Sequence, residues 1–243
     1  MAKIIQNEIL ADISLDSPKL VEDCEFRNCE FSNIRLSKPI SPVPTERTFV
    51  RHCSFINCTF QENCSQRKAG FEDVFIENLK VEGRLAISGS IFKHITFKGK
   101  IGKTLLMSNL SIAAVLTHES GQIADVTDQD LMVFKNYNNE YYKNVDWALD
   151  ISQGEFEVFE IKGGIPAGLI LRESSTQALV KYDKIKEGKW KMVPQILDSE
   201  VGLILGNAEA DCLVIAPVRS KKRFNIFMEA IHILREEGIA ELK

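Results

Sequence analysis

A period of five governs the apolar positions in the first part of this chain. Cys24-Glu25-Phe26-Arg27-Asn28 is followed at once by Cys29-Glu30-Phe31-Ser32-Asn33 and then by Ile34-Arg35-Leu36. The same spacing returns at Cys53-Ser54-Phe55-Ile56-Asn57 and Cys58-Thr59-Phe60. In each unit a small or apolar residue and a large apolar residue lie two apart, and the other positions are polar. A helix repeats at 3.6 residues and a strand at two, so neither produces this pattern. A period of five implies a chain that turns a corner every five residues with two side chains per unit pointing inward, as in a coil of a β-solenoid.

The period is interrupted. Lys38 to Pro44 carries Pro39, Pro42 and Pro44, which cannot join a ladder and predict a loop near 37–50. The polar run Glu62 to Gly70 predicts a second loop. An in-frame run then follows at Val74/Ile76, Leu79/Val81, Ala86 and Gly89/Ile91. It slips by one residue to Ile95/Phe97 and recovers at Leu105/Met107 and Leu110/Ile112. A last run covers Leu149/Ile151, Gly154/Phe156, Phe159/Ile161, Gly164/Pro166 and Leu169/Leu171. Ordinary alternating strands also place apolar residues two apart, so both readings stay open for residues 74–171. Between these runs, the stretch near 127–147 is polar and aromatic without an apolar period and reads as an exposed loop.

The end of the chain has a different rhythm. Gln177 to Tyr182 and Lys189 to Val193 read as a hairpin around Glu187-Gly188. Gln195 to Leu205 carries a weak helical stripe, and Leu213-Val214-Ile215-Ala216 is a short buried strand. Phe224, Phe227, Met228, Ile231, Ile233 and Leu234 mark an amphipathic helix from about 222 to 236, with Ser220 as N-cap and Gly238 as the stop. This order predicts a small α/β domain over 174–243, packed near residues 156–171 as a cap on a solenoid over 1–173.

Residues 24–36 and 53–60 resemble the pentapeptide-repeat proteins, whose units read small, polar, Leu or Phe, and two further residues. Cys24, Phe26, Cys29, Phe31, Cys53, Phe55, Cys58 and Phe60 fit that pattern; Glu25, Glu30, Ser54 and Thr59 stand where Asp or Asn is usual. The resemblance implies a right-handed β-helix, so the expected class is mainly β: a right-handed β-helix followed by the α/β domain. Some family members antagonise DNA gyrase by resembling DNA. Those members are continuous and strongly acidic on one face, which this chain is not.

Composition narrows the function classes. Thirty basic residues nearly balance thirty-four acidic ones, for a net charge of −4, so no global field points to nucleic acid. No run of 18 apolar residues exists and the start lacks a long apolar core, which predicts a soluble cytoplasmic protein without membrane contact. Six cysteines at 24, 29, 53, 58, 64 and 212 lack zinc-like spacing, so Cys24, Cys29, Cys53 and Cys58 are expected as reduced, buried side chains. The four histidines, 52, 94, 118 and 232, accompany no recognisable nucleophile. The glycine-rich stretch Lys162 to Gly168 leads into a strand rather than a helix and reads as a turn. No cofactor, metal or catalytic residue is expected.

Two clusters remain as candidate partner-binding residues. Tyr137, Tyr141 and Tyr142 are aromatic in a polar loop, a composition favoured at interfaces. Arg219, Lys221, Lys222 and Arg223 open a helix, where an anion is favoured and cations oppose the dipole. The favoured reading is a non-enzymatic protein that holds another macromolecule on a solenoid surface, such as an immunity protein or regulator of a protein partner. A β-helix enzyme acting on a carbohydrate or acyl substrate is the first alternative. An anion or nucleic-acid binder through residues 219–223 is the second. A dimer stays open.

Overall fold

The computed structural model describes residues 2–13, 19–34, 36, 43, 45–61, 64, 66–106, 127–161, 164–208 and 210–241. Strands are numbered in chain order. The largest sheet has nine: β1 (Lys3–Gln6), β3 (Leu20–Glu22), β4 (Cys24–Arg27), β6 (Thr48–Arg51), β7 (Ser54–Ile56), β10 (Ala69–Glu77), β13 (Ile91–Ile101), β15 (Leu149–Phe156) and β17 (Ile170–Leu171). A second sheet contains β2 (Ile9–Ala11), β5 (Glu30–Ser32), β8 (Thr59–Phe60) and β11 (Lys80–Val81). A third contains β9 (Gln66–Arg67), β12 (Leu85–Ser88), β14 (Thr104–Leu106) and β16 (Phe159–Ile161). All pairings in these three sheets are parallel. A short antiparallel pair, β18 (Gln177–Val180) and β19 (Cys212–Ile215), stands apart.

The helices are α1 (Asp128–Tyr142), α2 (Tyr182–Glu187), α3 (Pro194–Leu197), α4 (Glu200–Gly206) and α5 (Lys221–Glu236). The expected β-helix with an α/β tail is therefore corrected: the described residues form several parallel sheets with helices, an α/β arrangement rather than a uniform solenoid of five-residue coils. Two findings overturn the expectation. First, β10, β13 and β15 run for nine, eleven and eight residues through places where a corner every five residues requires a break, and β10 pairs with β6 and β7 at once. Second, α1 occupies the stretch expected as a loop.

The five-residue spacing survives as bends. Asn28, Asn33, Asn57, Asp73, Asn78 and His94 all have φ near +50°, a left-handed conformation that Asn, Asp and His tolerate better than most side chains. Four units of five would return the chain to itself after 20 residues. The observed register is longer: Lys3 lies beside Cys24, Ile9 beside Glu30, Gly70 beside Ile91 and Leu149 beside Ile170, each pair 21 apart. That one residue accounts for the slip at Ile95/Phe97. The calls at Met107, Leu110, Ile112 and His118 lie outside the described residues, as do Lys162 and Gly163.

The interior is built from the predicted apolar slots. Phe26 stacks on Phe55 with ring centroids 5.0 Å apart, and Phe31 on Phe60 at 4.6 Å. Phe26 and Phe31 are buried, whereas Phe55 and Phe60 are half-buried. Cys29, Cys53 and Cys58 are buried free thiols, as expected; Cys24 is only half-buried, because the short edge strand β1 alone lies beyond it. Burial pushes the Cys53 and Cys58 thiols up to about 11. Two expected loops are corrected at their ends: Thr48–Arg51 and Ala69–Gly70 are strand, since they pair with neighbours on the nine-stranded sheet, while Pro39, Pro42 and Pro44 and residues 62, 63 and 65 lie outside the described residues.

The expected hairpin at 177–193 does not form. Gln177–Val180 pairs with Cys212–Ile215 instead, while residues 182–187 are helical and Lys189–Met192 makes a 3-10 turn pinned by Trp190, whose indole N–H donates to Ile185 O. The two-stranded sheet is covered on both faces. Leu179, Leu213 and Ile215 join the core of the parallel sheets; Ala178, Val180, Cys212 and Val214 join a second core with Phe227, Ala230, Ile231 and Leu234 of α5. Alternation along each strand sends successive side chains to opposite faces. Helix α5 begins as expected, with the Ser220 hydroxyl accepting from Arg223 N–H, and Gly238 at φ +63° follows its end.

Candidate functional site

The expected tyrosines lie on α1, and its docking explains them. Thr127 caps the helix reciprocally with Asp130. Phe134, Asn138 and Tyr142, four apart, face the sheets. The buried Arg47 guanidinium donates to Asn138 Oδ1 at 2.6 Å and to Gly89 O at 2.8 Å, and it lies 4.7 Å from the Phe134 ring centroid and 5.4 Å from that of Tyr137. Burial pulls Arg47 down to about 10 against the opposing influence of Tyr137, Tyr142 and Tyr141. Tyr142 is buried and its hydroxyl accepts from Phe92 N–H at 3.3 Å. Tyr141 donates to Glu72 at 3.0 Å, beside the Arg51–Glu72 ion pair; burial and the Glu72 charge push its phenol up.

The basic cluster is partly neutralised. Arg219 pairs with Glu157 at 2.6 Å, and Arg223 pairs with Glu200. Val218 N–H donates to Phe156 O at 2.9 Å, so this corner ties the start of α5 to β15. Lys221 and Lys222 are exposed on the first turn of α5. The two expected clusters belong to different elements, and among the described residues no hydrogen bond or ion pair joins them.

A third arrangement, which the sequence reading missed, carries the most titratable chemistry. Asp23, His52, Asp73 and His94 occupy the same left-handed bend in successive strands of the nine-stranded sheet, and Asp146 continues the column. His52 Nδ1 lies 3.5 Å from Asp23 and its Nε2 lies 3.5 Å from Asp73. His94 is held more tightly: Nδ1 is 2.8 Å from Asp73 Oδ1, Nε2 is 2.6 Å from Asp146 Oδ1, and the ring lies 4.6 Å from that of Trp147. Both ring nitrogens can donate at once only in the imidazolium form. Burial pulls the His94 pKa down, but the hydrogen bonds and charges of Asp146 and Asp73 outweigh it, so it is raised. The His94 hydrogen bond holds Asp146 below its ordinary value. Acid and imidazole thus alternate up one exposed column.

A signal for the column was present. Asp23, Asn28, His52 and Asn57 each stand immediately before the Cys of a unit, the position that proves to be the bend. His52 is accordingly turned away from Cys53, whose thiol donates to Arg51 O at 3.1 Å. His232 is exposed beside Glu236 on α5.

Among the described residues no group of three or more His, Cys, Asp or Glu is arranged to hold a metal ion, and no helix is long and apolar enough to cross a membrane. No family model matches the chain, and no curated protein matches it. The pentapeptide resemblance therefore rests on residues 24–36 and 53–60 alone.

Proposed function

We propose that this chain is a binding protein whose partner is another protein, held on the helical face between residues 190 and 205. The observation that carries the reading is a set of outward apolar side chains on consecutive elements. Met192 is 83% exposed, Leu203 67% and Leu197 47%. Single exposed apolar residues are ordinary, but three on consecutive elements, the 3-10 turn at Lys189–Met192, α3 and α4, support a shared outer face. They point outward because Trp190, Ile196, Val201 and Leu205, on the same elements, are buried in the second core. A Cβ at Gly202 would meet Ile196 O at 2.4 Å and Leu197 O at 2.6 Å, so α3 and α4 meet at a close, rigid corner. A face preorganised in this way loses little freedom on binding. Such a protein acts by occupying its partner, as a regulator or immunity protein does.

The test is affinity capture with cross-linking from the source cell, using the wild-type chain and a Met192→Glu/Leu203→Glu double variant. Both positions are exposed, so the variant should melt within a few degrees of wild type. A saturable partner, cross-linked within 186–206 and weakened at least about tenfold in the variant, supports the reading. Equal capture by the variant places the interface elsewhere. Absence of any saturable partner removes the reading.

A further inference from the structure

A cleft of about 270 Å³ lies between β17 and α5, lined by Ile170, Leu171 and Leu179 on its apolar side and by Arg172, Arg235 and Glu241 on its polar side. It is separate from the apolar face at 190–205 and owes nothing to that reading. The Glu241 carboxylate lies across two cations, 2.6 Å from the Arg172 guanidinium and 3.5 Å from Lys181 Nζ, and Lys181 is also paired with Asp211 at 3.2 Å. Arg235 has different company. Its N–H groups donate to the main-chain carbonyls of Ser174 at 2.6 Å, Gln177 at 3.0 Å and Glu241 at 3.3 Å. Among the described residues no carboxylate pairs with it. Two guanidinium groups and one carboxylate therefore line the cleft, leaving an excess positive charge beside an apolar wall. Burial and the Arg172 charge both pull Arg235 below its usual value.

We propose that this cleft binds a small organic carboxylate, with the acid group between Arg172 and Arg235 and the apolar body against Ile170, Leu171 and Leu179. The chemistry selects this class. The Arg172 guanidinium can meet a carboxylate in a two-point hydrogen-bonded geometry, while Arg235, whose Nε and Nη2 hydrogens are spent on main-chain carbonyls, adds its charge and its Nη1. The apolar wall favours an acid with a hydrocarbon or aromatic body over a bare inorganic anion. Glu241 remains at the rim, and its charge opposes a phosphate dianion more than a monocarboxylate. The cleft is also small for a drug-sized ligand, which fits a molecule of benzoate or butyrate size. Glu241 already presents the same functional group to Arg172, so an incoming acid competes with it.

The experiment titrates sodium benzoate, with sodium butyrate and inorganic phosphate in parallel at constant ionic strength, and reads binding by calorimetry and by the shift in melting temperature. The proteins are wild type, Arg172→Gln and Glu241→Gln. Arg172 has Glu241 as its only hydrogen-bond partner among the described residues, so Arg172→Gln leaves other contacts intact. The expected result is saturable benzoate binding, tightened about tenfold in Glu241→Gln and weakened about tenfold in Arg172→Gln, the size of one charge-assisted hydrogen bond. Benzoate binding unchanged by both substitutions overturns the site. Absence of saturable benzoate and butyrate binding in Glu241→Gln overturns it too. Phosphate binding without carboxylate binding overturns the ligand class.

Discussion

The column of asparagines and the column of aspartates and histidines occupy equivalent bends, yet only one of them carries charge. Asn7, Asn28, Asn57 and Asn78 stand where the nine-stranded sheet passes to the second sheet; Asp23, His52, Asp73 and His94 stand within the nine-stranded sheet. Every one of these residues has positive φ. In the first column neutral amides meet: Asn28 Nδ2 donates to Asn7 Oδ1 at 3.2 Å and Asn78 Nδ2 to Asn57 Oδ1 at 3.1 Å. Gly99 ends it, and a Cβ there would meet Asn78 Oδ1 at 2.3 Å. In the second column the same backbone demand is met by groups that titrate. The bend thus restricts the residue type, while the choice within that restricted set decides whether the surface responds to pH.

The largest effect should come from the interior that both columns border. Phe26→Ala removes a ring stacked on Phe55 and edge-on to Phe31, and should cost about 3–5 kcal/mol in urea unfolding, equally at pH 5.5 and pH 9. A loss below about 1 kcal/mol would mean that the columns, rather than the ring stack, hold these strands. Asn57→Ala comes next. It forces Ala into a left-handed bend at φ +53° and removes the acceptor of Asn78, for about 1–2 kcal/mol with no pH dependence. Asn57→Gly should recover the backbone share. A pH-dependent Asn57 effect would erase the distinction between the columns.

The smallest effect is the most discriminating. His94→Asn puts the residue of the neutral column into the charged one while keeping a side chain that tolerates the bend. The His94 pKa is raised on folding, so its stabilisation is complete below the unfolded value of about 6.5 and is lost as pH rises through the folded value. Asp146, held low, contributes above about 3.9 and loses that contribution as pH falls. Wild type should therefore exceed His94→Asn by about 0.5 kcal/mol near pH 5.5, the scale of an exposed ion pair. By pH 9 only the pH-independent loss of the Trp147 contact should remain. A difference that stays constant from pH 5.5 to pH 9 would mean that folding does not favour the protonated form of His94.

Much of the local order was legible. Cys and Phe two apart identified inward slots, because a small thiol and a ring fill the space between sheets, and Ser220, Gly238 and the stripe from Phe227 to Leu234 marked α5. Helix α1 was not legible. Its docking face is Phe134, Asn138 and Tyr142, and the polar member is satisfied by Arg47, 91 residues away. A helix anchored through a buried polar contact shows no apolar stripe. The cleft was equally hidden, since Arg172 and Glu241 lie 69 residues apart. The Asp–His column could have been found, because Asp23 and His52 precede Cys and Asp73 and His94 precede the inward Val74 and Ile95, but nothing local shows that Asp73 faces both His52 and His94.

By itself the sequence determined the positions of the bends, the inward slots and the terminal helix, since these follow from local rules: which residues accept a left-handed φ, and which side chains leave water. Tertiary structure decided the rest. It set the register at 21 rather than 20 in most pairings without an inserted segment, with β12–β14 at 19, let strands run through their bends into a nine-stranded sheet, and turned the 128–142 stretch into a docked helix. It also joined Gln177–Val180 to Cys212–Ile215 instead of to the nearer segment. Each of these outcomes depends on backbone and side-chain partners far apart in the chain, and the free energy of such pairings has no imprint in a local pattern.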